Sequence, residues 1–191
     1  MVEAVANAGI PIVLHGGGLW ESAADLAPDK RAYIRRSDAR IAELSSMTVS
    51  AAYLKGLLID ADTVFWSRPT IAAVLAAGAV ERGAELRMMH AIQRAHYVEG
   101  SRVVEAHVLT DVARSVGLDA DAFGRAIEIV SVDEHIAATR RLMRQDGIKG
   151  FPGFLMQRGG ELVRVQHESF YGRPDAFLHA VEAAARTSPA A

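Results

Sequence analysis

The stretch GIKGFPGFLMQRGG, from Gly147 to Gly160, decides how this sequence is interpreted. Its proline, Pro152, stands directly before an apolar run from Phe154 to Met156. Proline has no backbone N–H to donate to a sheet ladder, so within a sheet it is expected at the first residue of a strand, on an edge or at a bulge. The pair Gly159–Gly160 then supplies a tight turn before a second apolar run, Leu162 to Val165. These residues predict a β-hairpin entered through a proline.

The elements outside this hairpin predict a mixed α/β chain. Val2 and Val5 begin a short helix that Gly9 ends, and Pro11 to His15 is a short apolar run typical of a buried strand. The stretch from residue 20 to residue 38 is polar and is predicted to be a loop. Helical periodicity then continues to about residue 146, and a last amphipathic helix begins at Pro174. We expect the Pro11–His15 strand and the hairpin to share one sheet.

Composition excludes several classes of protein. The 191 residues carry a net charge of −2, half of them are hydrophobic, and there is no cysteine. Disulfides, thiolate metal sites and cysteine nucleophiles are therefore excluded for the chain as written. No apolar run approaches the roughly 18 residues that a membrane span needs, and no basic excess favours nucleic acid. We expect a soluble protein that binds neither membrane nor nucleic acid.

The order of several segments resembles the DsbA-like branch of the thioredoxin superfamily. The segment LHGGG at Leu14 to Gly18 is similar to the end of that branch's second strand. HAIQRAHYVEG, VLTDVARSVGLDADAF and SVDEHIAATRRLMRQDGIKGFPGFLM resemble its helical insertion and the return to the core, and YGRPDAFLHAVE resembles its closing helix. The resemblance implies a thioredoxin-like fold with a large all-helical insertion. It places the core at residues 1–20 and 147–191 and the loop and insertion at 21–146.

In that family a cis-proline begins the strand that faces the active site, and Pro152 occupies its place. The resemblance therefore implies a cis Phe151–Pro152 bond, which costs only about 0.5–1 kcal/mol before proline. It also implies that Gly150, Phe151 and Pro152 bind the substrate, a protein or small molecule that carries a thiol or disulfide. No cofactor is implied.

The family's redox chemistry belongs to a C-x-x-C pair at the start of its first helix, where the helix dipole favours thiolate. The helix beginning at Val2 is similar to the later part of that helix, so we expect the first strand and the cysteine pair upstream of Met1. Otherwise the sheet rearranges, or a second chain fills the gap in a homodimer. Without cysteine, we expect this chain to be redox-inactive. Since any signal peptide would also lie upstream, the absence of one here favours the cytoplasm only slightly.

Two alternatives to a disulfide oxidoreductase or isomerase stay open. Kappa-class glutathione transferases and chromene-carboxylate isomerases share the fold and would bring glutathione as a cofactor. A DsbA-like adaptor would bind peptides through the same groove without catalysis. An esterase is disfavoured, because the HGGG segment from His15 to Gly18 has no G-x-S-x-G partner in the chain.

Further polar residues are candidates for lining the groove between insertion and core. His15 follows the predicted strand, and His90, Gln93 and Tyr97 share one face of a predicted helix. The histidines show no H-E-x-x-H or related spacing, so no metal site is predicted.

Overall fold

The structure, a computed structural model, describes residues 1–45 and 47–186. The α-helices of this part of the chain are α1 (Val2–Asn7), α2 (Pro28–Ser45), α3 (Ser67–Val80), α4 (Glu85–Tyr97), α5 (Ala106–Ser115), α6 (Ala120–Ile129), α7 (Val132–Gln145) and α8 (Pro174–Arg186). The strands are β1 (Ala24–Asp25), β2 (Val64–Phe65), β3 (Leu155–Arg158) and β4 (Glu161–Arg164). A π-helical turn spans Tyr53–Leu57, and a 3₁₀ turn spans Glu168–Phe170.

The chain forms two compact units. One contains residues 1–13 together with the chain from residue 138 onward, and the other contains residues 14–137. Helix α7 contributes to both. None of the helices in the described ranges is long and apolar enough to cross a membrane.

The predicted hairpin is confirmed. β3 pairs antiparallel with β4, with Leu155 opposite Arg164 and Arg158 opposite Glu161. The two turn residues, Gly159 and Gly160, both have positive φ angles, 57° and 89°. A two-residue turn with this geometry follows the twist of the strands and favours glycine, because side chains at positive φ are strained.

The first unit buries a small core between its terminal helices and the hairpin. Helix α1 packs against α8. The most buried side chains of this core are Val5, Phe177 and Val181. Phe154 and Met156 from the start of the hairpin pack against the same cluster. This core fixes the strand that Pro152 precedes.

The second unit is helical around one main core. Helices α3 to α6 meet there, and α3 contributes four buried alanines that let its neighbours approach closely. Met88, Leu109 and Phe123 are fully buried in this cluster. Helix α6 is capped at its start, because the Asp119 carboxylate accepts from the Ala122 N–H at 2.7 Å.

A second cluster of this unit surrounds a buried arginine. Tyr53, Leu58 and Phe65 are buried there. Arg31 donates from its guanidinium to the carbonyls of Leu26 and Leu58, at 2.7 and 2.8 Å. These bonds satisfy a charged group that is only 8% exposed.

Two predictions were wrong. Pro11 to His15 forms no strand and pairs with no other segment of the described chain, so it does not share a sheet with the hairpin. An apolar run provides side chains for burial, but a strand also needs a partner for its N–H and C=O groups. The predicted loop at residues 20–38 contains β1 and the start of α2. A proline at the first helical position, followed by Asp29, favours that helix start.

Candidate functional site

The peptide bond between Phe151 and Pro152 is cis, as predicted. It lies in the connection from α7 to β3, at the entrance to the hairpin. Gly150, Phe151 and Pro152 are all exposed, and the Phe151 side chain retains 51% of its accessible surface.

These residues form one wall of an open groove of about 280 Å³. The cis-proline wall consists of Ile148, Lys149, Gly150, Phe151, Pro152 and Gly153. The opposite wall comes from the end of the hairpin and the segment after it, and consists of Arg164, His167, Glu168 and Tyr171. The three predicted substrate-binding residues therefore lie together, and we call this pocket the cis-proline groove.

The backbone along the cis-proline wall is open for pairing. Within the described residues, no intramolecular hydrogen bond engages the N–H or C=O groups of residues 150–153. Pairing begins only at Phe154, whose carbonyl accepts from the Val165 N–H at 2.9 Å. Main-chain groups of this kind are available to an extended ligand.

Gly153 allows the wall to pass close to Ile148. A Cβ atom at this position would lie 2.7 Å from Ile148 Cγ2, well inside van der Waals contact. Gly150 differs, because a Cβ there would meet no atom within 4 Å and its φ is not positive.

The opposite wall carries charge. Hydrogen bonds from its own backbone N–H and that of His167 lower the pKa of the Glu168 carboxyl, with a smaller contribution from Arg164. The Arg164 guanidinium lies 3.9 Å from Glu168 Oε1, outside hydrogen-bonding distance. Glu168 therefore mainly organises the turn after β4, while the exposed cations Lys149 and Arg164 both line the groove.

Sequence reasoning missed the whole opposite wall. His167 is the least expected member, because it is buried with only 5% of its surface exposed. Its spacing from Pro152 carries no motif, and the turn of the hairpin alone brings the two segments together. The available signal was a polar cluster, HES at His167 to Ser169, shortly after the second strand.

The other predicted groove residues belong to the second unit. The His15 ring stacks on His135, with centroids 6.0 Å apart. Tyr97 instead packs on His96 and Tyr53, at 4.7 and 5.1 Å. His90 and Gln93 are half-buried on α4. Their role in lining a groove stays a prediction.

The aromatic cluster around Tyr97 contains perturbed titratable groups. Tyr53 donates to Asp38 Oδ2 at 2.6 Å, and burial raises the pKa of both residues. Burial lowers the pKa of His96 to about 4, against a smaller opposing effect of a hydrogen bond to the Ser101 backbone. His96 is therefore neutral at physiological pH. Tyr53, His96 and Tyr97 pack together in the second cluster of this unit.

Comparisons with known proteins agree on one family. A family model described as a DSBA-like thioredoxin domain matches residues 4–177. Among curated proteins, none matches this chain with significance.

Solved structures extend this match. The cytosolic disulfide reductase DsbM from Pseudomonas aeruginosa is 36% identical, with a TM-score of 0.88 over 98% of this chain and 90% of that chain. A structure of DsbM with GSH is 34% identical, with a TM-score of 0.85 over 97% of this chain and 90% of that chain. A Nitrosomonas europaea protein shares the fold. It is 21% identical, with a TM-score of 0.72 over 86% of this chain and 77% of that chain. This chain is helix-rich and has its cis-proline at the entrance to the hairpin. It belongs to the DsbA-like thioredoxin-domain family of disulfide oxidoreductases.

Proposed function

We propose that this chain binds a thiol or disulfide ligand of the glutathione type in the cis-proline groove, and that it performs no dithiol chemistry of its own. The observation that carries the proposal is the open backbone of residues 150–153, which forms one wall of a groove lined by two cations.

The groove favours an extended, peptide-like ligand. The N–H and C=O groups of Phe151 can pair with the main chain of such a ligand, as an added strand pairs with a sheet edge. A ligand paired there would place its sulfur beside Pro152. Lys149 and Arg164 complement the carboxylates that glutathione carries at both ends.

The chain cannot supply the nucleophile for exchange. In thiol–disulfide exchange a thiolate attacks one sulfur of a disulfide, a mixed disulfide forms, and the second sulfur leaves as a thiolate. The chain contains no cysteine, so both the attacking and the leaving sulfur must come from ligands or from another polypeptide.

The comparisons support this choice of ligand and compartment. DsbM is a cytosolic disulfide reductase that has been solved with GSH, and this chain matches that structure over most of its length. We accordingly propose glutathione as the ligand class and the cytoplasm as the compartment.

Isothermal titration calorimetry with reduced glutathione and with glutathione disulfide tests the proposal. The wild-type chain should bind at least one of them. Phe151→Leu keeps the backbone N–H and should bind like wild type, whereas Phe151→Pro removes that donor and should weaken binding about tenfold or more. Amide signals of the hairpin in NMR spectra show whether either variant keeps the local fold.

Two results would change the conclusion. No heat of binding with either form of glutathione, at millimolar concentration, would overturn the proposal. Binding of an extended cysteine-containing peptide in place of glutathione would instead favour the peptide-binding adaptor.

A further inference from the structure

His167 lies in the opposite wall of the cis-proline groove, in the connection between β4 and the 3₁₀ turn. Its side chain is only 6% exposed, although its neighbours Gln166 and Glu168 are exposed. A histidine buried to this degree is expected to have its ring nitrogens hydrogen-bonded.

The Nδ1 atom of His167 is buried and has no hydrogen-bond partner within the described residues. The Glu168 carboxylate is the nearest candidate, but its Oε2 atom lies 3.7 Å away, beyond hydrogen-bonding distance. That oxygen accepts instead from the His167 backbone N–H at 3.1 Å. The acidic neighbour therefore stabilises the turn and leaves the ring nitrogen without a partner.

Aromatic neighbours hold the ring in a fixed orientation. Phe154 packs on it with centroids 5.0 Å apart, and Tyr171 meets it edge-on at 5.7 Å. Because Tyr171 itself lines the groove, these contacts orient the imidazole within the groove wall. A ring held in this way loses little conformational freedom when it binds a ligand.

Because Nδ1 is shielded from any ligand, the ring nitrogen that can reach the groove is Nε2, which is not among the buried unpartnered atoms. We infer that His167 is a ligand-binding residue of the cis-proline groove, and that its Nε2–H donates to a carboxylate of the bound thiol ligand. Together with Lys149 and Arg164, it makes the groove selective for carboxylate-bearing thiols over uncharged ones. This inference rests on the proposed function of the same groove and adds the residue that determines its specificity.

The experiment compares two replacements at this position by calorimetry with reduced glutathione. His167→Phe keeps an aromatic ring between Phe154 and Tyr171 but removes the donor, and should weaken binding about tenfold or more. His167→Gln places an amide near the position of Nε2, and should stay within about threefold of wild type. The exposed His179, replaced by Phe, is the matched control and should bind like wild type.

Glutathione diethyl ester, which lacks both carboxylates, provides the specificity test. The wild-type chain should bind the ester more weakly than glutathione, and His167→Phe should cause no further loss with the ester. Equal binding of glutathione by wild type and His167→Phe overturns the role of His167 and leaves the proposed function intact. Failure of the wild-type chain to bind glutathione overturns both.

A direct observation covers the case in which His167→Phe does not fold. In wild-type chain labelled with ¹⁵N-histidine, the ring nitrogens of His167 should shift when glutathione is added. Unchanged ring signals under saturating glutathione would contradict the inference.

Discussion

The backbone N–H of Gly16 donates a hydrogen bond of 2.8 Å to Nε2 of His135, across 119 residues of sequence. The acceptor must carry a lone pair, so the bond requires the neutral imidazole. Burial lowers the pKa of His135, and the neighbouring His15 lowers it further. The glycine segment after His15 is thus joined to the start of α7 by a bond that holds at physiological pH.

Replacing His15 by Gln should raise the pKa of His135, because the electrostatic interaction with His15 that lowers this pKa is removed. The rise should be partial, since burial is the larger of the two causes. An NMR titration of the histidine ring protons measures it, with His179→Gln as the control. A pKa of His135 that is unchanged or lower in His15→Gln would show that the two rings do not interact electrostatically.

His96 should make the protein less stable in mild acid. Its pKa is about 4 in the folded state and 6.5 in the unfolded chain, so between these values the unfolded chain binds a proton that the folded protein excludes. The unfolding free energy is therefore unaffected by protonation of His96 above pH 6.5. It falls by about 3 kcal/mol as the pH is lowered towards 4.

Urea unfolding of wild type and His96→Gln at several pH values measures this contribution. The unfolding free energy of wild type minus that of His96→Gln should fall by about that amount from pH 7 to pH 4. His135 has a lowered pKa in both proteins, so its contribution cancels in the difference. A difference that is independent of pH would mean that His96 titrates normally.

The hairpin illustrates what could be predicted from sequence. Its strands, its glycine turn and the cis-proline before it depend on residues within a dozen positions, so local rules suffice. The strand predicted at Pro11 to His15 was wrong, because a strand needs a partner segment, which the local sequence pattern does not specify. For the same reason, only one wall of the groove could be predicted. Residues 150–152 are neighbours in sequence, whereas Arg164 and His167 come to the groove only through the fold.

The two glycines of the cis-proline wall should respond differently to alanine. Gly153→Ala should lower the unfolding free energy by about 1–3 kcal/mol, because its Cβ would overlap Ile148. Gly150→Ala should be neutral within about 0.5 kcal/mol, because its Cβ would enter open space. Chemical denaturation of both variants decides this, and equal effects would show that Ile148 does not restrict position 153.

The chain should show no disulfide reductase activity. Without a cysteine thiolate it cannot form the mixed disulfide through which exchange proceeds. Insulin reduction with dithiothreitol, in the presence of the purified chain, should proceed at the rate of the buffer blank. A rate above that blank, with contaminating thioredoxin excluded by mass spectrometry, would contradict the prediction.

Ligand binding in the cis-proline groove is tested most directly by ¹H–¹⁵N NMR spectra of the wild-type chain titrated with reduced glutathione. Because the chain has no cysteine, any change reports non-covalent binding alone. Binding should shift the amide signals of Gly150, Phe151 and Gly153, while the exposed face of α8 around His179 stays unchanged. Saturating glutathione that leaves the signals of residues 150–153 in place, or shifts only signals elsewhere, would contradict the proposed function.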